Sequence, residues 1–157
     1  EVSDALAVRL REAPVADPRA RRELARTLLT EVLVARSRDR ALRQIGDDAA
    51  SLPIPPVAVI VFGSVARNEA RPDSDLDAVA VRPGYVGEDD EQWGTGIEQW
   101  RDHARAVTGN PIEVIEVGLT EARRRLAARS GLWRDIARDG IVIHGTPLTE
   151  LVESADG

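Results

Sequence analysis

The chain has 157 residues, of which 43% are hydrophobic, and a formal net charge of −6 at pH 7. This length and composition are typical of one compact globular domain. The absence of cysteine excludes disulfides, thiolate metal sites and thiol nucleophiles. The absence of lysine excludes a P-loop lysine and Schiff-base chemistry. The net negative charge argues against broad binding to nucleic-acid backbones.

Targeting signals and a histidine-rich metal centre are not predicted. No apolar stretch approaches the ~20 residues that span a bilayer, and no signal-peptide pattern opens the chain. We therefore expect a cytoplasmic protein with no membrane partner. His103 and His144 are far apart in the sequence. The chain has no initiating methionine, which is typical of a processed form or a fragment, and its exclusive use of arginine for basic residues is typical of a GC-rich, bacterial genome.

The N-terminal third has helical periodicity. Residues 1–12 are predicted to form a short helix with Leu6 and Leu10 on its apolar side. Asp17-Pro18 is typical of a helix N-cap followed by proline at the first helical position. From there to about Ile45, apolar residues recur near helical spacing. We interpret residues 1–50 as an N-terminal helical segment, the end of a truncated upstream region.

The opposite face of this helix is rich in arginine, and it supports two interpretations. The arginines can be solvated charges or members of ion pairs, or they can form a surface for a partner or an acceptor. They are Arg22, Arg26, Arg36, Arg40 and Arg43.

Residues 57–81 carry the most informative pattern. An apolar run over 57–62 stops at Gly63-Ser64, and a second apolar run opens at Asp75-Leu76-Asp77. If both runs are strands, Asp75 and Asp77 project from one face, and paired carboxylates are usually kept around a cation. Gly63 allows a tight turn and a close ligand approach. The following N–H groups and the Ser64 hydroxyl are predicted to hold phosphate oxygens at a helix N-terminus.

The remaining elements alternate between strands and helices. A helix is predicted over 89–108, in which Trp93 and Trp100 are interpreted as core or interface anchors. A strand over 112–117 follows, then helices near 120–129 and 132–138, and a last strand over 140–144 before a polar tail. This alternation predicts an α/β fold without internal repeats.

The pattern of Gly63-Ser64-Val65-Ala66-Arg67 followed by Ser74-Asp75-Leu76-Asp77 resembles the signature of the DNA polymerase β-type nucleotidyltransferase superfamily. It is most similar to the minimal nucleotidyltransferase branch, which includes antitoxin-like proteins and is similar to aminoglycoside nucleotidyltransferases. The resemblance implies an α/β (α+β-like) domain with a small mixed sheet and flanking helices. We assign this domain to residues 51–147, with 148–157 as a tail.

The resemblance also implies site residues. The family has a third carboxylate near a strand start, followed by two apolar residues, which matches Glu113-Val114-Ile115. Glu116 lies on the same strand but points to the opposite face, and the choice between the two stays open. The family usually has Asp where this chain has Glu113 and Gly where it has Asn68, a residue that tolerates positive φ.

The resulting expectation is a metal-dependent nucleotidyltransferase. Asp75, Asp77 and Glu113 are the expected metal ligands for Mg²⁺ or Mn²⁺ and the expected catalytic residues. Gly63, Ser64 and Arg67 are the expected nucleotide-binding residues. The donor is expected to be ATP, and the acceptor a hydroxyl on a partner protein or a small molecule, with a nucleic-acid end least favoured by charge. The alternative is a nucleotide-binding regulatory module or antitoxin-type partner protein that does not catalyse transfer.

Overall fold

The computed structural model describes residues 17–71 and 73–153. The chain divides into two compact units, residues 1–40 and residues 41–157. The helix predicted over residues 1–12 lies outside the described residues. None of the described helices combines the length and the apolar character required to cross a bilayer.

Helix α1 (Pro18–Ala50) spans the helical pattern that was predicted from Asp17-Pro18 to about Ile45. Asp17 caps it: the Asp17 carboxylate accepts a hydrogen bond from the N–H of Arg19 at 2.9 Å, and the Asp17 carbonyl accepts one from Arg21 at 3.2 Å. The predicted N-cap is therefore confirmed. The helix ends shortly before the proline-rich segment 53–56, whose missing N–H groups cannot support further helical hydrogen bonds.

A four-stranded sheet forms the centre of the second unit. Its strands are β1 (Ala58–Phe62), β2 (Leu76–Arg82), β3 (Ile112–Gly118) and β4 (Ile141–Gly145), in the spatial order β3-β2-β1-β4. β1 pairs antiparallel with β2 and with β4, whereas β2 and β3 are parallel. The predicted mixed sheet in an α/β fold is therefore confirmed. The other helices are α2 (Glu91–Thr108), α3 (Leu119–Ala128), α4 (Leu132–Asp139) and α5 (Leu148–Glu153).

The sheet is buried on both faces, which explains why β1 and the body of β2 are almost wholly apolar rather than alternating. One face packs against the end of α1 and against α2. The residues of this core are Leu42, Ile45, Ala49, Val59, Val61, Val65, Leu76, Ala78, Trp100, Ala104 and Ile112. The other face packs against α3, α4 and α5. Its core residues are Ala58, Ile60, Phe62, Val79, Val81, Val117, Ala122, Leu126, Trp133, Ile136 and Leu151.

The two tryptophans of α2 are core residues, as predicted. Trp93 and Trp100 are each 2% exposed. The indole N–H of Trp100 donates to the carbonyl of Ile45 at 2.8 Å, and that of Trp93 donates to the carboxylate of Glu116 at 2.8 Å. Each indole thus buries its ring and still satisfies its one polar group.

The segment that follows β4 differs from the predicted polar tail, because residues 148–153 form helix α5. Leu148, Leu151 and Val152 recur at the i, i+3, i+4 spacing and pack against the core beneath α3 and α4. Leu151 is fully buried. Six residues were too few for this periodicity to stand out in the sequence.

Replacing Leu151 tests whether α5 is part of the folded domain. Leu151→Ala should lower the free energy of unfolding by about 2–5 kcal/mol, because it leaves a cavity in the core. Glu153→Ala, at an exposed position of the same helix, should change it by less than about 0.5 kcal/mol. Urea unfolding of both variants measures the difference. Equal stability of the two variants would place residues 148–153 outside the cooperative fold.

Candidate functional site

The strand register brings the carboxylates predicted from the sequence to one end of the sheet. Asp77 pairs with Phe62 at the end of β1 on one side and with Glu113 at the start of β3 on the other. Asp75 lies one residue before β2 begins. Because paired positions in a sheet project from the same face, the side chains of Asp77 and Glu113 share the face covered by α3 and α4.

Gly63 meets the Asp77 carboxylate directly. A Cβ atom at position 63 would lie 2.6 Å from Oδ2 of Asp77, well inside van der Waals contact. The backbone at Gly63 also has φ +75, a conformation that side chains with a Cβ disfavour. The sequence predicted that this glycine permits a tight turn and a close approach. In the structure the close neighbour is the carboxylate of Asp77 itself.

Residues 63–68 form a hydrogen-bonded turn rather than the start of a regular helix. The N–H of Arg67 donates to the carbonyl of Gly63 at 3.1 Å, and the N–H of Glu69 donates to the carbonyl of Ser64 at 2.8 Å. Val65 anchors the turn in the core with 8% of its surface exposed. The N–H groups of residues 64–66 take no part in these turn bonds. They stand next to the carboxylates as potential donors to an anion.

Asn68 has φ 59, the left-handed conformation. This is the position at which the resembled family has glycine. Asparagine is among the residues that tolerate this conformation best. Asn68 therefore occupies a backbone position of positive φ in this turn.

Charge repulsion is concentrated on Asp77. Partial burial raises the pKa of the Asp77 carboxyl above its ordinary value of 3.8, the neighbouring charges of Asp75 and Glu113 raise it further, and the charge of Arg67 opposes them. Asp75 and Glu113 themselves are exposed, whereas Asp77 is half-buried. The four charged residues predicted for the site therefore act on one another, with three negative charges against one positive charge.

Arg67 has two further acidic neighbours that sequence reasoning missed. Its Nε donates to Oε2 of Glu69 at 3.1 Å. The pKa of Asp139, at the end of α4, is lowered chiefly by a hydrogen bond from Arg138, and the charge of Arg67 acts in the same direction. The short spacing from Arg67 to Glu69 could have indicated the first pair. Nothing in the linear sequence brings the end of α4 to the turn.

Glu116, the other candidate for the third carboxylate, occupies the opposite face of β3. It is three residues from Glu113 along the strand, and its Oε1 accepts the hydrogen bond from the indole of Trp93. The structure thus places Glu113 beside Asp77 and engages Glu116 in the contact between β3 and α2.

A divalent metal is the group that the carboxylates could hold. Their donors are all oxygen atoms, which suit Mg²⁺ or Mn²⁺, and a cation would relieve the repulsion on Asp77. Within residues 17–71 and 73–153, however, no three His, Asp or Glu side chains are already arranged around a common point as an ion site. Asp75 and Asp77 are the carboxylates that could hold such an ion, with Glu113 as a further charge that acts on Asp77.

A cavity lies elsewhere in the second unit. It has a volume of about 440 Å³ and is lined by residues at the far ends of β2 and β3 and at the start of α3, among them Arg82, Gly118 and Arg125. Arg82 is the last residue of β2 and Asp77 is its second residue, so about 17 Å of strand separates the two. At the opposite strand ends Asp75 and Glu113 are exposed, so a large polar ligand can reach them, whereas Asp77 is half-buried.

A protein-family model described as "Nucleotidyltransferase domain" matches residues 42–125, a segment that includes all six candidate site residues. A solved structure described as "Crystal structure of the toxin-antitoxin with AMP-PNP" is similar over 78% of this chain and 83% of that chain, with 14% sequence identity and a TM-score of 0.45. A comparison with curated proteins found no match.

Removing the charge of Asp77 should not destabilise the metal-free protein. Since the folded state raises the pKa of this carboxyl, its ionised form costs stability at neutral pH, and the cost fades as pH falls through the raised pKa to below the ordinary 3.8. In EDTA at pH 7, Asp77→Asn should therefore melt at the same temperature as wild type or higher.

Repeating the melts at decreasing pH supplies the control. Any advantage of Asp77→Asn should shrink toward pH 4, and Asp102→Asn, at an exposed position of α2, should match wild type throughout. A lower melting temperature of Asp77→Asn at pH 7 would instead identify Asp77 as a stabilising turn residue.

Proposed function

The chain belongs to the nucleotidyltransferase domain family, and we propose that it transfers a nucleoside monophosphate, from ATP, to an acceptor hydroxyl and releases pyrophosphate. One observation carries the proposal: the strand register sets Asp77 between the glycine turn of residues 63–68 and Glu113, with Asp75 adjoining. Nucleotidyl transfer requires groups that donate hydrogen bonds to the phosphates and carboxylates that bind a metal ion, both at the same site.

The turn supplies the phosphate-binding half of the proposed site. The N–H groups of residues 64–66 and the Ser64 hydroxyl donate to oxygens of the terminal phosphates. Successive backbone N–H groups in such a turn favour anions. Arg67 offsets negative charge on the departing pyrophosphate. Because Glu69 already pairs with Arg67, this arginine is held close to the turn before nucleotide arrives.

The carboxylates supply the other half. Asp75 and Asp77 would hold Mg²⁺ or Mn²⁺, and the bound ion would neutralise charge on the triphosphate and polarise the α-phosphate. Glu113 positions the acceptor hydroxyl and takes its proton. The acceptor oxygen forms a bond to the α-phosphorus, the bond between the α-phosphorus and the bridging oxygen to the β-phosphate breaks, and pyrophosphate leaves with that electron pair. No covalent intermediate with the protein is required.

The acceptor that the charge distribution favours is a protein or small-molecule hydroxyl. Residues 41–157 contain 12 arginines and 20 acidic residues, so a polyanionic acceptor such as a nucleic-acid end is repelled from this unit. A hydroxyl on a neutral or cationic molecule meets no such barrier.

A second function is supported by Glu113 and by the arrangement of the carboxylates. Glutamate reaches one methylene further than the aspartate of the resembled family, and no described set of three carboxylates is already arranged for an ion. A nucleotide-binding module that regulates a partner without transferring a nucleotide needs no third carboxylate. Turnover distinguishes the two functions, since both require nucleotide binding.

The transfer assay uses ATP labelled at the α-phosphate, Mg²⁺ and a lysate of the source organism as the supply of acceptors. We expect one or more labelled acceptors, and we expect EDTA or Asp77→Asn to abolish labelling. Removal of a metal-holding or proton-accepting carboxylate in such sites costs about 10²-fold or more in rate. Nucleotide binding with no labelled product would favour the regulatory module.

The two glutamates of β3 provide a matched pair for the same assay. Glu113→Gln should lower the rate about 10²-fold or more, because it removes the proposed proton acceptor. Glu116→Gln keeps an oxygen that can accept from Trp93 and should leave the rate within about twofold. If the two variants lost activity equally, the proposal that Glu113 rather than Glu116 accepts the proton would be wrong.

Ser64 tests the phosphate-binding turn separately from turnover. Ser64→Ala should weaken ATP binding by about 1.5–3 kcal/mol, the value of a hydrogen bond to a charged group, and should leave adenosine binding nearly unchanged. Calorimetry with both ligands in Mg²⁺ measures the difference. An equal loss for adenosine and ATP would show that Ser64 maintains the turn rather than binding phosphate.

A further inference from the structure

Six exposed side chains on α1 follow one line along the helix. In residues 22–40 they recur at alternating intervals of four and three residues, and they are Arg22, Arg26, Leu29, Leu33, Arg36 and Arg40. An average interval of 3.5 residues keeps side chains on a narrow line, which is the spacing of a coiled-coil contact line. We call these six residues the arginine–leucine seam. It lies wholly within the first unit and contains none of the candidate site residues.

The centre of the seam is apolar and open to solvent. Leu29 is 58% exposed and Leu33 is 55% exposed. They are one helical turn apart, so their side chains are neighbours and form one continuous apolar patch. Val34 is also exposed, at 64%, but it lies about 100° around the helix from Leu33 and is not part of the seam.

The two ends of the seam consist of arginines whose charges can bind a partner. Two arginines precede the leucines, and two follow them. Within the described part of the chain, none of these four guanidinium groups has an ion-pair partner. Four unneutralised charges in line with two exposed leucines are not explained by the proposed catalytic site.

We propose that the seam binds an acidic amphipathic helix of a partner protein. Apolar residues of that helix would face Leu29 and Leu33, and carboxylates on either side of them would face the four arginines. Arginine binds carboxylates with two parallel hydrogen bonds, which fixes the register as well as the partner's charge. Burial of the leucines supplies apolar contact area at the centre, where water is best excluded.

A second copy of this chain does not fit the seam. In a parallel pair every arginine would face its own equivalent. In an antiparallel pair centred between Leu29 and Leu33, Arg26 would face Arg36 and Arg22 would face Arg40. Both arrangements oppose like charges at four places, which disfavours association.

Membranes and nucleic acids fit less well than an acidic helix. A helix that lies on a membrane needs a broad apolar face with basic residues along its sides. Here the leucines form a narrow line, and the arginines lie before and after them on the same line rather than along its sides. Binding to a nucleic-acid backbone uses the arginines but gives the two leucines no apolar contact.

The probe for this proposal is a labelled synthetic helix of three heptads, about 21 residues. The peptide carries leucine at the two positions that would face Leu29 and Leu33, and glutamate at the four positions that would face the arginines of the seam. A basic version of the peptide carries lysine at those four positions. Fluorescence anisotropy with the full chain should show that the acidic peptide binds at least about tenfold more tightly than the basic one. The double variant Leu29→Ser/Leu33→Ser should weaken that binding about tenfold or more.

Charge reversal sharpens the test. The double variant Arg26→Glu/Arg36→Glu should lose the acidic peptide and gain binding to the basic one. The matched controls are Val34→Ser and Arg21→Glu, which change an exposed apolar residue and an exposed arginine outside the seam. Both should keep the affinity within about twofold, and circular dichroism should show that every variant retains its helix.

Several results would overturn the proposal. One is equal binding of the acidic and basic peptides, or of the seam variants and their controls. Another is seam-dependent binding only to phosphatidylglycerol vesicles or to duplex DNA, which would assign the seam to those ligands. A monomer–dimer equilibrium that the leucine variant abolishes would assign it to self-association. This proposal does not depend on catalysis, so loss of transfer activity in Asp77→Asn leaves it unaffected.

Discussion

The position of the Asp77 carboxylate against the backbone of Gly63 is the constraint on which the candidate site depends. The carboxylate occupies the space that a side chain at position 63 would need, and the glycine in turn permits the left-handed backbone with which the turn begins. The antiparallel pairing of β1 and β2 sets both residues at one sheet end. A single register therefore determines where the turn of residues 63–68 lies relative to the carboxylate of Asp77.

The fold maintains this strand register although it brings negatively charged carboxylates close to one another. Partial burial and two neighbouring carboxylates raise the pKa of Asp77, so the ionised carboxylate lowers the stability of the fold at neutral pH. The body of the sheet, buried on both faces by two apolar cores, supplies the opposing free energy. The charged residues are confined to the strand ends, where Asp75 and Glu113 keep contact with water and their desolvation cost stays small. A ligand that brings a cation would then recover the repulsion as binding free energy.

Local patterns predicted much of this structure, and contacts between distant segments account for what they missed. The apolar runs predicted all four strands, the Asp17-Pro18 step predicted the start of α1, and the resemblance to a nucleotidyltransferase predicted that Asn68 stands at a position of positive φ. The Gly63-Ser64 step after an apolar run predicted a helix N-terminus, whereas residues 63–68 form a hydrogen-bonded turn. The choice between Glu113 and Glu116 required the identity of the residue packed against each face of β3, and the exposure of Leu29 and Leu33 required knowing which apolar residues of α1 are covered.

The charge of the second unit also constrains the order in which ligands can bind. With 12 arginines and 20 acidic residues in 41–157, this unit repels a free triphosphate, although the charge of Arg67 acts on Asp77 in the opposite sense. In the proposed function, a metal ion held by Asp75 and Asp77, or carried in with the nucleotide, would change the sign of the interaction with the phosphates. Metal and nucleotide should therefore bind with strong positive coupling, since each removes the charge that opposes the other. The acidic surroundings would then exclude metal-free nucleotides and other polyanions, and so contribute to selectivity as well as to repulsion.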